Sequence, residues 1–479
     1  MASAPTTIGV VGAGTMGAGI ARVAADAGMR VLQRDPLVGL TDDLSGCDLV
    51  IEAVPERLEL KQELVRELEA VLRDDAVIAS NTSSISITAI AAGAEHPERV
   101  VGMHFFNPPP RMRLVEVVAG LRSGAAALAL ARAAGEAMGK HVIDTPDTPG
   151  FLVNRCNRPF NLEALRIVAE GIATPAQVDR IVRMGGGYPM GPFELMDLVG
   201  LDTTFDVQTS FWEQSFGEPR WRPSGAVQRM VAAGRLGRKS GDGWYAYPRD
   251  GHGDPEPPPP GGGDGLVVVA GESALAYELL EAAGEAGWEA ATPEEAEGEL
   301  PALIVDCGAT EDDPPLQGGP QAILIDAAPL AALDPGGASA GFSALAPLAG
   351  SRLVELTRST TTAPATAAVT EGFFRSLGRH VEWVADAPGL VLARIVCSLV
   401  NEACFALAEG VGRPADVDAG LVLGLNHPRG ALEWADLIGP AEVLAVVAGL
   451  HAEYSEERYR PAGPLRRAVR TETPLHGPS

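Results

Sequence analysis

Near its amino terminus the chain reads Ile8-Gly-Val-Val-Gly-Ala-Gly-Thr-Met-Gly17. A short β-branched run leads into glycines spaced Gly-x-Gly-x-x-Gly, and from Gly14 to Gly28 small side chains recur at the spacing of a buried helix. Met29 to Asp35 reads as the next strand, with Asp35 lying 18 residues beyond Gly17. In this setting Gly12 permits the tight turn, Gly14 lets the backbone approach a pyrophosphate, and Gly17 lets the helix close on the sheet. Met16 belongs to the same turn. The free amides of a helix N-terminus complement phosphate charge. Asp35 suits a ribose 2′-hydroxyl and repels a 2′-phosphate, which favours NAD over NADP. Arg34, beside it, pulls the other way.

Downstream, Asp48–Val54, Ala76–Ala79 and Val100–Met103 read as further strands, with a helical stretch from Pro55 to Leu72. Strand–helix alternation predicts an α/β, Rossmann-type doubly wound sheet. After Pro149-Gly150 the pattern turns all-helical, with Thr174 as N-cap and Pro175 at the first helical position of one helix. Residues 248–265 are dominated by proline and glycine and read as a semi-rigid linker. The chain of 479 residues carries 63 acidic and 37 basic side chains, a formal charge of -26 that disfavours nucleic acid as a partner. Five scattered cysteines without a CxxC pair suggest reduced thiols and no metal cluster. With no signal-peptide n-region and no apolar run of about 18–20 residues, a soluble, cytoplasmic protein off the membrane is expected.

Sliding the chain by 239 residues sets Pro149-Gly150 on Pro388-Gly389, Arg155 on Arg394, Glu163 on Glu402, Glu170 on Glu409, Asp179 on Asp418 and Asp197 on Asp436. The same shift sets Arg113-Leu-Val-Glu116 on Arg352-Leu-Val-Glu355. The fold is therefore expected to be duplicated, with a degenerate second copy. His104 falls on Ser343, Asn154 on Ala393, and the glycine fingerprint becomes Ala270-Gly-Glu-Ser-Ala-Leu275. Serine lacks a base of suitable pKa and a glutamate at that turn repels phosphates, so the second copy should neither catalyse nor bind NAD. The expected boundaries are 1–148 for the dinucleotide-binding domain, 149–247 all-α, 248–265 linker, 266–386 degenerate Rossmann-like and 387–479 second all-α.

The segment Val101-Gly-Met-His-Phe-Phe-Asn-Pro-Pro-Pro110, followed by Glu116, is the second informative constellation. A histidine at a strand end titrates near neutrality, and a carboxylate on its other nitrogen sets the tautomer and stabilises the imidazolium. Oxidation of an alcohol needs that pair. Taken alone, the same residues would more often be a satisfied core histidine and a solvated acid.

Gly12–Ala21, Ile51-Glu-Ala-Val-Pro-Glu56, Asn81-Thr-Ser-Ser84, His104-Phe-Phe-Asn-Pro108, Pro149–Arg155 and Gly187–Glu194 together resemble the 3-hydroxyacyl-CoA dehydrogenase family over nearly all of residues 6–247. The tandem arrangement is similar to its two-copy bacterial members. The resemblance implies an NAD-dependent enzyme of fatty acid metabolism and β-oxidation, acting on an acyl-CoA. It makes His104 the general base, Glu116 its orienting carboxylate, and Ser83 and Asn154 the residues that hold the substrate oxygen and support the imidazole. It places Glu56, Lys61 and Asn81 at the cofactor. Since the family pairs its all-α domains, it also implies an intrachain pseudo-dimer, alone or within a homodimer.

The chain departs from the family between Asp35 and Cys47, where a long helical arm that helps grip CoA is missing. A connector this short cannot hold a helix and return, so the sheet edge should differ. Two other readings stand beside the enzyme: a catalytically impaired scaffold that binds NAD or acyl-CoA, and a dehydrogenase of a free hydroxy acid.

Overall fold

Buried β-branched runs punctuated by glycine form strands because their side chains leave the backbone alternately to either face. In the computed structural model, which describes residues 4–312, 316 and 318–476, eight such strands make a first sheet. They are β1 (Thr7–Val11), β2 (Arg30–Asp35), β3 (Leu40–Thr41), β4 (Leu49–Glu52), β5 (Val77–Ser80), β6 (Val100–Phe105), β7 (Leu114–Ala119) and β8 (His141–Pro146). Their order is β3-β2-β1-β4-β5-β6-β7-β8. Two pairings are antiparallel, β2 with β3 and β6 with β7; the rest are parallel.

Alternation along the strands feeds two apolar layers. Ile8, Val10, Leu49 and Ile51 pack with helices α1 (Thr15–Asp26) and, further along the sheet, Ala127, Ala131 and Ala134 of another helix. Val11, Val50 and Ile78 face the opposite layer, against α2 (Leu58–Glu69) and α3 (Ile87–Ala91). The alanines belong to α4 (Ala125–Ala137). Where the arm was missed, Pro36–Val38 makes one tight turn and β3 returns antiparallel to β2, Asp35 opposite Leu40. The connector is long enough for a hairpin and no more.

A second sheet comprises β9 (Leu266–Ala270), β10 (Glu289–Ala291), β11 (Leu303–Asp306), β12 (Gln321–Leu324), β13 (Ala340–Ser343), β14 (Leu353–Arg358) and β15 (His380–Trp383), in the order β10-β9-β11-β12-β13-β14-β15. It is parallel except for β13 with β14, where Ser343 stands opposite Glu355. Helical segments follow each sheet. The helix Pro175–Gly186 begins as read from sequence, with Thr174 accepting from the Gln177 amide and Gln177 reciprocating. Among the described residues no single helix is long and apolar enough to cross a membrane.

The chain divides into two compact units, one of Met1–Cys156, Ser210–Gly217 and Ala406–Gly430, the other of Asn157–Thr209, Glu218–Phe405 and Ala431–Ser479. This division cuts across the linear boundaries expected from sequence. In the first unit the Phe211 ring fills the space over Gly150, where a Cβ would come within 1.9 Å of it. Val153 likewise packs on Gly420, so both distant segments are recruited. The proline-rich segment is also better fastened than a free linker. In the second unit Arg183 Nε donates to Asp254 at 3.0 Å, and the Gly261 and Gly263 amides donate to the Ser376 and Ala286 carbonyls.

Two stability measurements test this packing. A Cβ at Gly17 would lie 1.9 Å from the Gly12 carbonyl oxygen, a backbone atom with no rotamer to escape into. Gly17→Ala should therefore lower stability by about 1–3 kcal/mol in urea titration; a wild-type midpoint would show that α1 can withdraw at no cost. In the second sheet, burial pushes the Glu355 carboxyl from 4.5 up to about 8, outweighing the amides of Leu392 and Val391 that favour its anion. Between those values the folded chain keeps a proton that the unfolded chain has released. Stability then falls as pH rises from 4.5 to about 8, with a contribution of at most about 1.4 kcal/mol per pH unit. Glu355→Gln should flatten that slope, and an unchanged slope would assign the proton to another group.

Candidate active site

The turn from β1 into α1 is shaped by what its glycines exclude. Gly12 has φ +99°, and a Cβ there would meet the Ala53 carbonyl oxygen at 2.7 Å. Gly14 is exposed, has nothing within 4 Å of a would-be Cβ, and caps α1 without a side-chain hydrogen bond. The first amides of α1 thus face open space at the positive end of the helix. Asp35 accepts from the Ala13 amide at 2.8 Å and the Leu37 amide at 3.1 Å, which holds its carboxylate beside the glycine turn. Met16 is half-buried against the apolar layer beneath. Arg34 leans away, 3.6 Å from Glu67 on α2. An anionic pyrophosphate with a ribose hydroxyl at Asp35 fits these groups, so the residues present suit NAD.

The loop after β5 is held by an acid. Glu56 Oε1 accepts from the Ser83 amide at 3.0 Å, the Ser84 amide at 3.2 Å and the Ser84 hydroxyl at 3.1 Å, as well as from the Thr82 hydroxyl. Its Oε2 lies 3.2 Å from Lys61 Nζ. Burial pushes the Glu56 carboxyl up, but the Lys61 charge and the Thr82 and Ser83 donors outweigh it and hold the group below the usual range.

Lys61 is buried: its side chain is 1% exposed and its ammonium sits 2.8 Å from Glu52 Oε1, so it braces the loop from beneath. Glu52, itself fully buried and also bonded by the Ser80 hydroxyl, was not singled out in the sequence. An acid ending an apolar strand, Leu49-Val-Ile-Glu52, was the available signal. Asn81 begins the same loop, its Oδ1 accepting from the Phe105 amide at 2.9 Å, which ties the loop to the strand of His104.

His104 and Glu116 stand directly opposite each other on the antiparallel ladder of β6 and β7. Nδ1 of His104 is 2.7 Å from Glu116 Oε2. The other oxygen, Oε1, accepts from the amides of Leu152 and Val153 at 3.0 Å each. These amides lie at the start of α5 (Val153–Cys156), reached through Gly150 and Phe151, both at positive φ. An acid so bonded is an acceptor, which assigns the proton to Nδ1 and leaves Nε2 of the imidazole as the nitrogen able to take one. The ring lies between Phe106, 4.5 Å away and tilted, and Phe151, 5.8 Å away and edge-on. Ser83 and Asn154 are half-buried in the two segments that flank this pair, the loop after β5 and α5.

Comparison with known proteins follows the same residues. The family model described as 3-hydroxyacyl-CoA dehydrogenase, NAD binding domain, matches residues 7–38 and 37–148, its two pieces meeting at the β2–β3 turn. The corresponding C-terminal domain matches 150–247 and again 389–474. A 3-hydroxyadipyl-CoA dehydrogenase of Escherichia coli K12 is 35% identical over 506 aligned positions, covering 98% of each chain. A 3-hydroxybutyryl-CoA dehydrogenase of Mycobacterium tuberculosis is 42% identical over 287 positions, 52% of this chain and all of that one. The crystal structure of a 3-hydroxybutyryl-CoA dehydrogenase from Escherichia coli K12 superposes with a TM-score of 0.76 at 31% identity, over 98% of this chain and 99% of that one. With its amino-terminal half matched throughout and a full-length relative above 30% identity, this chain belongs to the 3-hydroxyacyl-CoA dehydrogenase family.

Proposed function

We propose that the protein reversibly oxidises a 3-hydroxyacyl-CoA to the 3-oxoacyl-CoA with NAD, using His104 and Glu116. The observation that carries this reading is the 2.7 Å pair in which Glu116 is pinned by two amides and His104 keeps Nε2 open. Nε2 takes the proton of the substrate's 3-hydroxyl while the C3–H bond breaks and the carbonyl forms. When bound, NAD supplies the acceptor for the hydride that leaves C3. Glu116 stabilises the imidazolium that results, and in the reductive direction the same proton returns to the oxygen. Ser83 and Asn154 hold the substrate oxygen and support the ring. The turn Gly12, Gly14, Met16 and Gly17 takes the pyrophosphate and Asp35 the ribose. Asn81 and Glu56 shape the cofactor side of the loop.

The chain is further read as a duplication whose second copy is catalytically dead. Support comes from the matching strand orders, the second match of the C-terminal domain, and Glu355, which accepts from the amides of Val391 and Leu392 as Glu116 does from Leu152 and Val153. Ser343 replaces the histidine there, and Glu272 enters the glycine turn. Pairing of the two helical segments within one chain is supported by Arg394, 3.0 Å from Glu163 and bonded to Glu170 in the second unit. In the first unit the residues 239 positions away from that pair, Arg155 and Glu409, lie 2.9 Å apart.

His104→Ala should lower kcat by about 10²–10⁴-fold while NADH binding, read by fluorescence titration, is retained; wild-type turnover in that variant would remove His104 as the base. Purified protein should oxidise NADH with acetoacetyl-CoA but not with free acetoacetate. Equal rates would favour a free hydroxy acid, to which the missing arm points, and tight NADH binding without turnover on any acyl-CoA would favour a scaffold.

A further inference from the structure

Within the first unit, residues 409–426 of the carboxyl-terminal half lie against the residues that hold the proposed dyad. The helix Pro414–Leu425 packs on β7, β8 and α5. Its contacts are made where side chains are missing. A Cβ at Gly420 would come within 2.7 Å of Val153 Cγ2, and one at Gly412, just before the helix, within 2.6 Å of Leu152 Cδ2. A Cβ at Gly424 would lie 3.3 Å from Phe106 Cε1. Leu152 and Val153 donate the two amides that pin Glu116, and Phe106 is the ring closest to His104. The same segment is fastened to α5 by the Arg155–Glu409 ion pair, in which Arg155 is buried.

A glycine inside a helix is unfavourable, so Gly420 needs a reason. The 239-residue shift sharpens the point, because Gly420 falls on Ile181 and Gly412 on Ala173. The helix that carries Ile181, Pro175–Gly186, packs on β14 of the second sheet, where Ser343 stands in place of a base. The thinner helix thus faces the sheet that carries His104, and the bulkier one faces the sheet that has Ser343 at that position.

We propose that the carboxyl-terminal half acts as a positioning element for the amino-terminal site: Gly412 and Gly420 let Leu152 and Val153 settle where their amides fix Glu116, and Glu116 in turn fixes His104. This rests on the reading of His104 and Glu116 as the reacting pair. Displacing Val153 by a few tenths of an ångström moves one of the two donors on a fully buried carboxylate, and the error passes to the imidazole.

The test uses the full chain. Gly420→Ala adds one methyl and improves helix propensity, so it separates positioning from folding. The expected result is a kcat lower by about ten- to hundredfold, with KM for NADH within about twofold and a thermal midpoint no lower than wild type. In a His104→Ala background the same substitution should leave the residual rate unchanged, since the pathway it acts through is already gone. Wild-type kcat in Gly420→Ala alongside an inactive His104→Ala overturns the proposal while sparing the dyad. An equal further loss in the His104→Ala background also overturns it, as general damage. If His104→Ala itself turns over normally, the parent reading has failed instead. Should Gly420→Ala not fold, Glu409→Gln is expected to show the same kcat loss with unchanged KM for NADH and Glu409→Asp to restore it; wild-type kcat in Glu409→Gln overturns the proposal.

Discussion

A fully buried carboxylate has to find its hydrogen-bond donors where it stands, and the arrangement around Glu116 is the answer to that constraint. One oxygen meets an imidazole and the other two backbone amides. The antiparallel register of β6 on β7 serves the first contact by setting His104 directly opposite Glu116 on the ladder. The turn at Gly150 and Phe151 serves the second by bringing two successive amides onto the carboxylate. The chain beyond residue 150 is thereby tied to the sheet by the same group that orients the histidine.

The second sheet carries half of such an arrangement. Glu355 has its two amides but faces Ser343, whose hydroxyl is buried without a hydrogen-bond partner. With no imidazole beside it, the carboxyl is pushed up by burial to about 8. The frame that holds an acid at this position is therefore separable from the chemistry the acid supports.

Buried charge organises the loop after β5 as well. Glu52, Lys61 and Glu56 form a chain from the end of β4 to that loop, and Glu56 ends the chain on hydroxyls and amides of Thr82–Ser84. Segment Ser210–Gly217 adds a second restraint, with Ser210 and Gln214 both donating to the Ser84 carbonyl. The loop that begins with Asn81 is thus held from below by charge and from outside by amides and hydroxyls.

The glycine turn, the strands through Met103 and the cap at Thr174 were legible because each depends on residues within about a turn of one another, where spacing and backbone preference act directly. His104 and Glu116 could be named from the resemblance. Their mutual register could not be, since β7 reaches its place by an antiparallel return that no local pattern marks. Lys61 was named from the resemblance too, but only the fold shows it turned inward onto Glu52. The proline-rich segment read as a semi-rigid linker, and only the structure shows Asp254 within it bonded to Arg183; residues 406–430 read as part of the second all-α domain, and only the structure shows which of them meets Val153. By itself the sequence determined the strands through Met103, the nucleotide turn and the chemical character of the site. The tertiary structure decided which buried charges neutralise one another and which distant segment completes each unit, because those outcomes turn on contacts between residues far apart in the chain, whose free energy appears only once the backbone has closed around them.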